Sequence, residues 1–317
     1  MTRLSYAFCA GILAAWLTGC SDARQTMPPS VTARAPGDRD ATWMLPNAAS
    51  HDLLYVSNLK TVTIYSYPRG SLEGTIDGFY DAQGECVDKK ADVFVTNVGT
   101  NQILGYAHGA RKRFRALAGH GLPEGCSIDP LTGDLAASDS DGTVAVYKDA
   151  RGNPKVYDRT PFKQAFWCGY DDDGNLFVDG VGDDSANFVL AELPKNGHRL
   201  EQVMVGASMG APGGVQWDGK YLAVGTSGPP PSGTPVVYRF KITGRHAKEV
   251  GTVPLGYGGS NVRQFWIQNA TLIAPVVQLL ESDVFFYKYP AGGKATKKIT
   301  AGLDAPAGAV VSLAQGR

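Results

Sequence analysis

Three cysteines stand in similar short stretches near the middle of the chain. The stretches are GECVD at residues 84–88, PEGCSID at 123–129 and WCGYD at 167–171, so that Cys86, Cys126 and Cys168 follow one another at intervals of 40 and 42 residues. Recurring thiols can bind a metal, carry out redox chemistry or form a disulfide. No CxxC motif accompanies them, so their spacing needs an explanation from the fold.

A second group of residues could bind a cation through oxygen atoms. Its members lie at the ends of predicted strands: Glu85, Glu124, Asn58, Asn97, Asp139 and Asp179. A ring of carboxylates and amides suits calcium, which takes six to eight oxygen ligands. Asn and Asp at strand ends are also turn residues that bind their own backbone. Because Asn58, Asn97 and Asp139 follow similar strands, this structural role would explain all three together, and we favour it.

Two other motifs resemble sites but fit turns better. Residues 171–175, DDDGN, lack the alternate ligand spacing and the distant Glu of an EF-hand loop, so we predict a polar hairpin turn. Trp217-Asp218 precedes a Gly and is likewise interpreted as a turn. The pairs Phe166-Trp167 and Phe265-Trp266 begin predicted inner strands, where aromatic rings either pack between blades or line a channel mouth.

The elements that position these residues form an internal repeat. Short apolar strands recur at intervals of 39 to 50 residues, beginning at Leu54, Val93, Leu135, Leu176, Leu222 and Leu272. A second alternating run follows each of them, and Asp-Gly pairs mark hairpin turns at residues 141–142, 173–174 and 218–219. A period near 44 residues with about four strands in each repeat is typical of propeller blades.

We therefore predict an all-β fold, a six-bladed β-propeller of four-stranded blades. The first repeat begins at its second strand, and the stretch Ala305 to Ser312 resembles an additional innermost strand. The C-terminal strand is accordingly expected to complete the first blade and close the ring, which removes exposed sheet edges.

The repeat also explains the cysteine spacing, because each cysteine starts an innermost strand of a successive blade. Cys126 and Cys168 lie three residues before an Asp, whereas Cys86 lies two before one. A one-residue offset reverses the direction of a side chain on a strand. Cys126 and Cys168 are thus not expected to pair, while Cys86 can face Cys126. A disulfide between these two and two buried thiols both remain open.

The chain resembles the NHL- and YVTN-type propeller superfamily over roughly residues 52–312. The resemblance is carried by LYVSN at Leu54, VFVTN at Val93 and the recurring blade starts, and it extends to uncharacterised exported bacterial propellers. The superfamily includes lactonases that hold a metal through Glu, Asn and Asp, which would imply calcium or another divalent cation. That pattern cannot be placed residue by residue here, so no metal ligand or catalytic residue is assigned. His120 and Glu124 share one loop, in a way similar to metal-dependent propeller lyases.

The first twenty residues are typical of a targeting segment. Arg3 precedes an apolar run that ends in Leu17-Thr18-Gly19-Cys20, which resembles a bacterial lipobox. We predict a signal peptide at 1–19, a lipidated Cys20 with a flexible tether at 20–50, and the propeller at 51–317. Acyl chains on Cys20 would hold the protein in the lipid bilayer on the outer side of the bacterial envelope. Ser21 favours the outer membrane over the inner one.

The charge balance bears on the partner. Lys+Arg and Asp+Glu both number 30, which argues against nucleic acid, and we expect a monomer. Residues 111–115, RKRFR, fall on a predicted outermost strand and are typical of a solvated, edge-protecting face; contact with lipid headgroups or an anionic glycan is the alternative.

Two functions remain. The first is a tethered, non-catalytic scaffold that binds protein or glycan through the channel rim. The second is a metal-dependent hydrolase or lyase, similar to the lactonases, with a cation in the central channel.

Overall fold

The computed structural model describes residues 42–183, 187–226, 235–256, 263–277 and 282–315. Within these ranges the regular elements are β-strands, apart from single 3-10 turns at Ala48–Ser50, Val98–Thr100 and Lys148–Ala150. None of these helical turns is long and apolar enough to span a bilayer. The predicted signal peptide, Cys20 and most of the tether lie outside the described residues, so those predictions stay open.

Consecutive strands within a blade pair antiparallel. The first twelve are β1 (Trp43–Met44), β2 (Leu53–Ser57), β3 (Val62–Ser66), β4 (Leu72–Ile76), β5 (Ala82–Val87), β6 (Val93–Asn97), β7 (Gln102–Tyr106), β8 (Arg113–Ala118), β9 (Pro123–Ile128), β10 (Leu135–Asp139), β11 (Val144–Tyr147) and β12 (Lys155–Tyr157). The next eight are β13 (Gln164–Tyr170), β14 (Leu176–Val181), β15 (Phe188–Leu193), β16 (Glu201–Val205), β17 (Pro212–Trp217), β18 (Leu222–Thr226), β19 (Val236–Thr243) and β20 (His246–Pro254). The last five are β21 (Trp266–Gln268), β22 (Thr271–Val277), β23 (Ser282–Lys288), β24 (Lys297–Ile299) and β25 (Gly308–Ser312).

Hydrogen bonding joins these strands into five sheets. Four of the sheets are single blades: the first blade contains β1–β4 and β25, the second β5–β8, the third β9–β12 and the fourth β21–β24. The remaining strands, β13–β20, form one continuous eight-stranded sheet. The fold is therefore all-β, as predicted, but its division into blades differs from the prediction.

The prediction of six separate four-stranded blades is wrong, because the structure has four single blades and one double-sized sheet. Strand β20 spans nine residues and its hairpin with β19 turns at Gly244, which has a left-handed φ of 53°. The start of β20 therefore reaches the outer edge of β16, where Met204 pairs in parallel with His246 and Val205 with Ala247. This pairing fuses the two groups of strands that the fourth and fifth repeats encode.

The first blade carries a strand more than predicted. Strand β1 pairs with the outer edge of β4, placing Met44 opposite Gly74. A Cβ atom on Gly74 would lie 2.5 Å from the Met44 sulfur, so the missing side chain of this glycine makes room for the additional strand.

The C-terminal strand takes part in ring closure, as the sequence suggested. Strand β25 pairs antiparallel with β2, from Leu53 opposite Ser312 to Ser57 opposite Gly308. It also packs against β5 and β21. Six inner strands thereby surround the axis: one from each single blade, namely β25, β5, β9 and β21, and two from the eight-stranded sheet, namely β13 and β17.

An aspartate directly follows four of these inner strands and forms the hairpin there. The Oδ1 atoms of Asp88, Asp129, Asp171 and Asp218 each accept the backbone N–H two residues further on, at 2.8–3.0 Å. Short polar side chains bind their own backbone in this way in tight turns. The stretch at 171–175 is such a hairpin, which is the turn that the sequence predicts there.

The cysteines lie between neighbouring inner strands. Cys86 on β5 and Cys126 on β9 form a disulfide with their Cα atoms 5.7 Å apart. Cys168 is a buried free thiol that lies 3.9 Å from the Ala136 carbonyl, and burial raises its pKa to about 12. The corresponding contact of Cys126 is with the Phe94 carbonyl at 3.7 Å, so Cys126 and Cys168 occupy equivalent positions in different wedges.

The disulfide should stabilise the protein by restricting the unfolded chain. It closes a loop of 40 residues, for which loop-closure entropy gives about 2–4 kcal/mol. We expect the double variant Cys86→Ala/Cys126→Ala to lose about this much free energy of unfolding in urea. The control Cys168→Ala removes a buried sulfur but no bond, and should lose about 1 kcal/mol. If the double variant loses only twice as much free energy of unfolding as Cys168→Ala, the bond adds nothing.

Candidate functional site

The axis is held together by side chains that bridge the backbones of neighbouring inner strands. Ser57, Thr96 and Ser138 occupy the same position on the second strand of successive blades. The Thr96 hydroxyl accepts the Gly84 N–H at 2.7 Å and contacts the Glu124 carbonyl of the next blade at 2.7 Å. Ser138 binds Gly125 and the Phe166 carbonyl in the same manner. Each hydroxyl thus satisfies backbone groups that have no strand partner.

Longer side chains make equivalent bridges elsewhere on the axis. The Gln264 amide binds the backbone of Glu85 twice, accepting its N–H at 2.6 Å and donating to its carbonyl at 2.5 Å. Gln216 makes the same pair of bonds with Ile267, at 2.7 and 3.1 Å. A side-chain amide carries both a donor and an acceptor, so it can replace one rung of a β-ladder where two strands are too far apart to pair.

The inner strands approach one another closely where glycines stand. A Cβ atom on Gly84 would lie 2.6 Å from the Glu124 carbonyl oxygen, and one on Gly125 would lie 2.7 Å from the Phe166 oxygen. A side chain at either position would push neighbouring strands apart. Close packing of the inner strands therefore requires both glycines. They stand just before the cysteines in GECVD and PEGCSID, with at most one residue between.

A cavity of about 170 Å³ lies at the axis, at the end where the inner strands finish. Its walls include the Cys86–Cys126 disulfide, Cys168 and Gln264. Its other lining residues include the last residue of four inner strands: Val87, Ile128, Tyr170 and Trp217.

Aromatic residues form one side of this cavity. Trp217 and Trp266 lie on successive inner strands, and Tyr170 lies beside them. The Trp217 indole N–H donates to Asp172 at 2.8 Å, and the Trp266 indole N–H donates to Gln268 at 3.1 Å. Because these hydrogen bonds fix the rings, the cavity offers rigid aromatic surface to a ligand.

Asn58, Asn97 and Asp139 lie at the opposite end of the inner strands from the cavity. The Asn97 Oδ1 accepts the Tyr80 N–H at 2.8 Å, and the Asn58 Oδ1 accepts the Asp304 N–H at 2.9 Å. Tyr80 lies two residues before β5 begins and Asp304 four residues before β25 begins. The corresponding backbone group for Asp139 is that of Gly121, two residues before β9. These polar groups tie down the loop that enters the next inner strand, which favours the structural role over cation binding.

Asp179 differs from Asn58, Asn97 and Asp139, because it lies one residue earlier on its strand. It occupies the position of Ser57, Thr96 and Ser138, and its Oδ1 accepts the Trp167 N–H at 3.0 Å. Its Oδ2 is buried without a hydrogen-bond partner among the described residues. Burial raises the pKa of Asp179 well above its ordinary value. Its carboxyl group stands where the other blades have a bridging hydroxyl and makes the same kind of bond to the backbone of an inner strand.

Glu85 is buried in the wedge between the first and second blades. Opposite Val95 it holds the position that Cys126, Cys168 and Val215 hold on other inner strands. Its carboxyl oxygens form no hydrogen bond with any described residue. Burial raises its pKa well above the usual range, and the Ser57 backbone only partly offsets this. Cys86 lies one residue closer to its aspartate than Cys126 and Cys168 do to theirs. A carboxyl group therefore stands where those two motifs have a thiol.

Glu124 and Asp139 carry the remaining perturbed carboxyl groups at this end of the axis. Burial raises the pKa of Glu124 to about 7; the charge of Asp81 adds to the effect and Arg263 opposes it. Burial also raises the pKa of Asp139 to about 7, with contributions from Asp141 and Glu124. Asp81, Asp141 and Glu124 thus act on these two carboxyl groups in one direction, and Arg263 acts on Glu124 in the other.

The structure brings only some of the predicted site residues together. Glu124 and Asp139 influence each other, but His120 is exposed and forms no hydrogen bond or ion pair within the described ranges. Across the part of the chain that the structure describes, no three His, Cys, Asp or Glu side chains are arranged to hold a metal ion. The prediction of calcium therefore gains no geometric support from these residues.

Trp217 is a cavity residue that was interpreted from the sequence only as part of a turn, although a signal for it exists. Val87, Ile128, Tyr170 and Trp217 each immediately precede a hairpin aspartate. The position before this aspartate therefore marks the cavity mouth in four inner strands. For Trp266, the sequence left packing and channel lining open, and the structure shows both, since the ring lines the cavity and packs against two core clusters.

Comparisons with known proteins bear on the fold. No protein-family model matches the sequence, and neither does any curated protein. Among solved structures, a chain of a nidogen/laminin complex has a TM-score of 0.66 at 14% identity, covering 84% of this chain and 100% of that one. Hydrazine synthase of Kuenenia stuttgartiensis has a TM-score of 0.58 at 16% identity, covering 78% and 75% of the two chains.

The decisive neighbour for architecture is a domain described by its fold. The Cps50 (Swd1) β-propeller domain of Myceliophteria thermophila has a TM-score of 0.54 at 10% identity, covering 82% of this chain and 86% of that one. The chain is a β-propeller. At such identities the similarity shows the fold alone, so the finer resemblance to NHL- and YVTN-type propellers stays a prediction.

Replacing Glu85 by an apolar residue should stabilise the propeller. The variant Glu85→Val copies Val215 at the equivalent position and removes a buried carboxyl group without a partner, which costs about 1–3 kcal/mol. We expect a higher free energy of unfolding in urea at pH 8. The control Cys168→Val makes an apolar change at another equivalent position and should give no comparable gain. A loss of stability in Glu85→Val alone would mean that the carboxyl group has a stabilising partner.

The raised carboxyl pKa values also predict how stability depends on pH. Glu124 and Asp139 bind protons more tightly in the folded protein, between their ordinary values of 4.5 and 3.8 and about 7. The folded state therefore loses stability as pH rises through this window, and the loss ends above it. Thermal unfolding should show the midpoint falling from pH 5 to pH 8.

The double variant Glu124→Gln/Asp139→Asn should make that profile flatter. Asn at 139 copies Asn97 and keeps an acceptor for the loop N–H. The remaining slope should come from Glu85 and Asp179, whose pKa values are raised in the same direction. Asp158→Asn, at an exposed position, serves as the control. An unchanged slope in the double variant would contradict the assignment to this pair.

Proposed function

We propose that this propeller is a binding module, tethered to the outer side of a bacterial membrane, that recognises a protein or glycan through the axial cavity. The observation that carries the proposal is the cavity itself, which Trp217, Trp266 and Tyr170 edge at the axis. Aromatic faces bind sugar rings and apolar side chains, while polar edges orient them. The tether and the location rest on the lipobox at residues 17–20.

The size of the cavity favours binding over catalysis on a small substrate. Sites that enclose a small molecule have volumes of about 300–1,000 Å³, whereas this cavity has about 170 Å³. It therefore has room for one group of a larger ligand, such as one sugar ring or one side chain. The rest of that ligand would lie across the face of the propeller.

Fluorescence titration of the full chain in detergent micelles tests this proposal. The probes are envelope oligosaccharides, namely muropeptides and lipopolysaccharide core oligosaccharides, together with peptides selected by display on the immobilised protein. A ligand in the cavity should change tryptophan emission, and Trp217→Ala or Trp266→Ala should raise Kd at least about tenfold. Trp43→Ala, on β1 at the outer edge of the first blade, should leave Kd unchanged.

Two results would overturn the proposal. The first is a ligand whose affinity does not change in either cavity variant. The second is calcium-dependent hydrolysis of a lactone panel that Glu124→Gln abolishes and Trp217→Ala spares, which would favour the metal-dependent hydrolase instead.

A further inference from the structure

A second concave surface lies between the second and third blades, and we call it the inter-blade groove. It has a volume of about 630 Å³ and runs between the hairpins at 88–92 and 129–134 and the turn at 148–150. It shares Ile128 and Pro130 with the axial cavity but otherwise has different walls. The groove is thus a separate surface on which the proposed function does not depend.

Two large apolar side chains are exposed in this groove. Phe114 is 46% exposed and Leu131 is 51% exposed. Phe114 stands in a β-bulge of β8, where Gly105 pairs with Arg115 and Tyr106 with Arg113. A bulge can redirect a side chain out of the regular alternation of a strand.

The exposed ring is held in a fixed place. It packs edge-on against Phe94 with 5.9 Å between ring centroids, and the Arg115 guanidinium lies 5.4 Å from its centroid. A rigid aromatic ring loses little conformational entropy when a ligand covers it. Phe114 is therefore suited to anchor a partner.

Cations surround these apolar side chains. Lys89, Lys90 and Arg151 line the groove and form no salt bridge within the described ranges. Arg111, Lys112 and Arg113 extend the positive charge along the start of β8.

Two carboxylates in the same groove already accept hydrogen bonds within the fold. Asp88 accepts the backbone N–H groups of Lys90 and Asp92, and Asp129 accepts the Leu131 N–H and the Thr132 hydroxyl. Burial and the neighbouring Asp88 raise the pKa of Asp92, whereas Lys90 and Arg115 lower it. Asp149 lies exposed at the edge. Lys89 and Arg151 therefore remain available to a partner, and Lys90 is exposed beside them.

We propose that the inter-blade groove binds an extended acidic segment of a partner protein. Its carboxylates would pair with Lys89, Lys90 and Arg151, and an apolar side chain would lie between Phe114 and Leu131. A flat membrane would touch the rims of a concave groove without filling it, and a sulfated glycan would use the cations but not both apolar side chains. A peptide uses both features.

Fluorescence polarisation with the full chain in detergent micelles tests the proposal. The probe is a fluorescein-labelled peptide in which glutamate alternates with leucine. Peptides alternating glutamate with serine, or lysine with leucine, test the charge and the apolar side chains separately. We expect only the first peptide to bind, with an affinity that falls as salt rises.

Groove variants should weaken this binding at least about tenfold. They are Phe114→Ser/Leu131→Ser for the apolar part and Lys90→Glu/Arg151→Glu for the charged part. Lys195→Glu, an exposed charge reversal in the turn between β15 and β16, is the control and should have no effect. Circular dichroism and thermal unfolding establish that each variant is folded, which the exposure of the changed residues leads us to expect.

Three outcomes would overturn the proposal. One is the absence of any binding by the glutamate–leucine peptide. Another is equal binding of the glutamate–serine peptide, which would show a site for any polyanion. The third is binding of heparin or phosphatidylglycerol vesicles in its place, with loss in the Lys90→Glu/Arg151→Glu variant. Trp217→Ala should not affect this assay, so failure here leaves the axial cavity untouched.

Discussion

The propeller depends on how the backbone at its axis is satisfied. Each inner strand pairs on one side only, which leaves N–H and C=O groups directed at the neighbouring inner strand. Buried backbone groups without partners are costly. Hydroxyls at Ser57, Thr96 and Ser138 and amides at Gln216 and Gln264 fill this need. Small residues thus let the inner strands approach closely, and side-chain bridges satisfy the backbone groups that the strands leave unpaired.

The sequence predicted well those features that repeat. The repeat located the strands, and the predicted polar hairpin at 171–175 forms with Asp171 Oδ1 as its acceptor. The one-residue offset of Cys86 allowed it to face Cys126 but left a disulfide and two thiols open, and the structure shows the disulfide. Local patterns of this kind depend on strand alternation and turn chemistry, both of which a single sequence carries.

Features that depend on tertiary contacts were not predictable from the pattern. Nothing in the repeat shows that β20 would reach Met204 on β16, since that contact depends on the length of one hairpin in space. Glu85 was expected at the end of a strand, but it lies inside β5, where its register opposite Val95 places it in a wedge. Trp217 was interpreted only as part of a turn, because a single sequence does not show which strand ends converge on a cavity. Asn58, Asn97 and Asp139 therefore lie at the opposite end of the axis from the cavity, whereas Glu85 and Trp266 are among its lining residues.

The pairing of β25 with β2 also constrains how the molecule can be made. Leu53 meets Ser312 in this sheet, so β2 waits for its inner partner until all the blades between the two strands have been synthesised. Contacts between residues so distant along the chain slow folding, because the long loop must close before they form. Until β25 arrives, β2 presents an unpaired edge to its surroundings. Pairing with β25 then covers this edge, so its exposure ends when the ring closes.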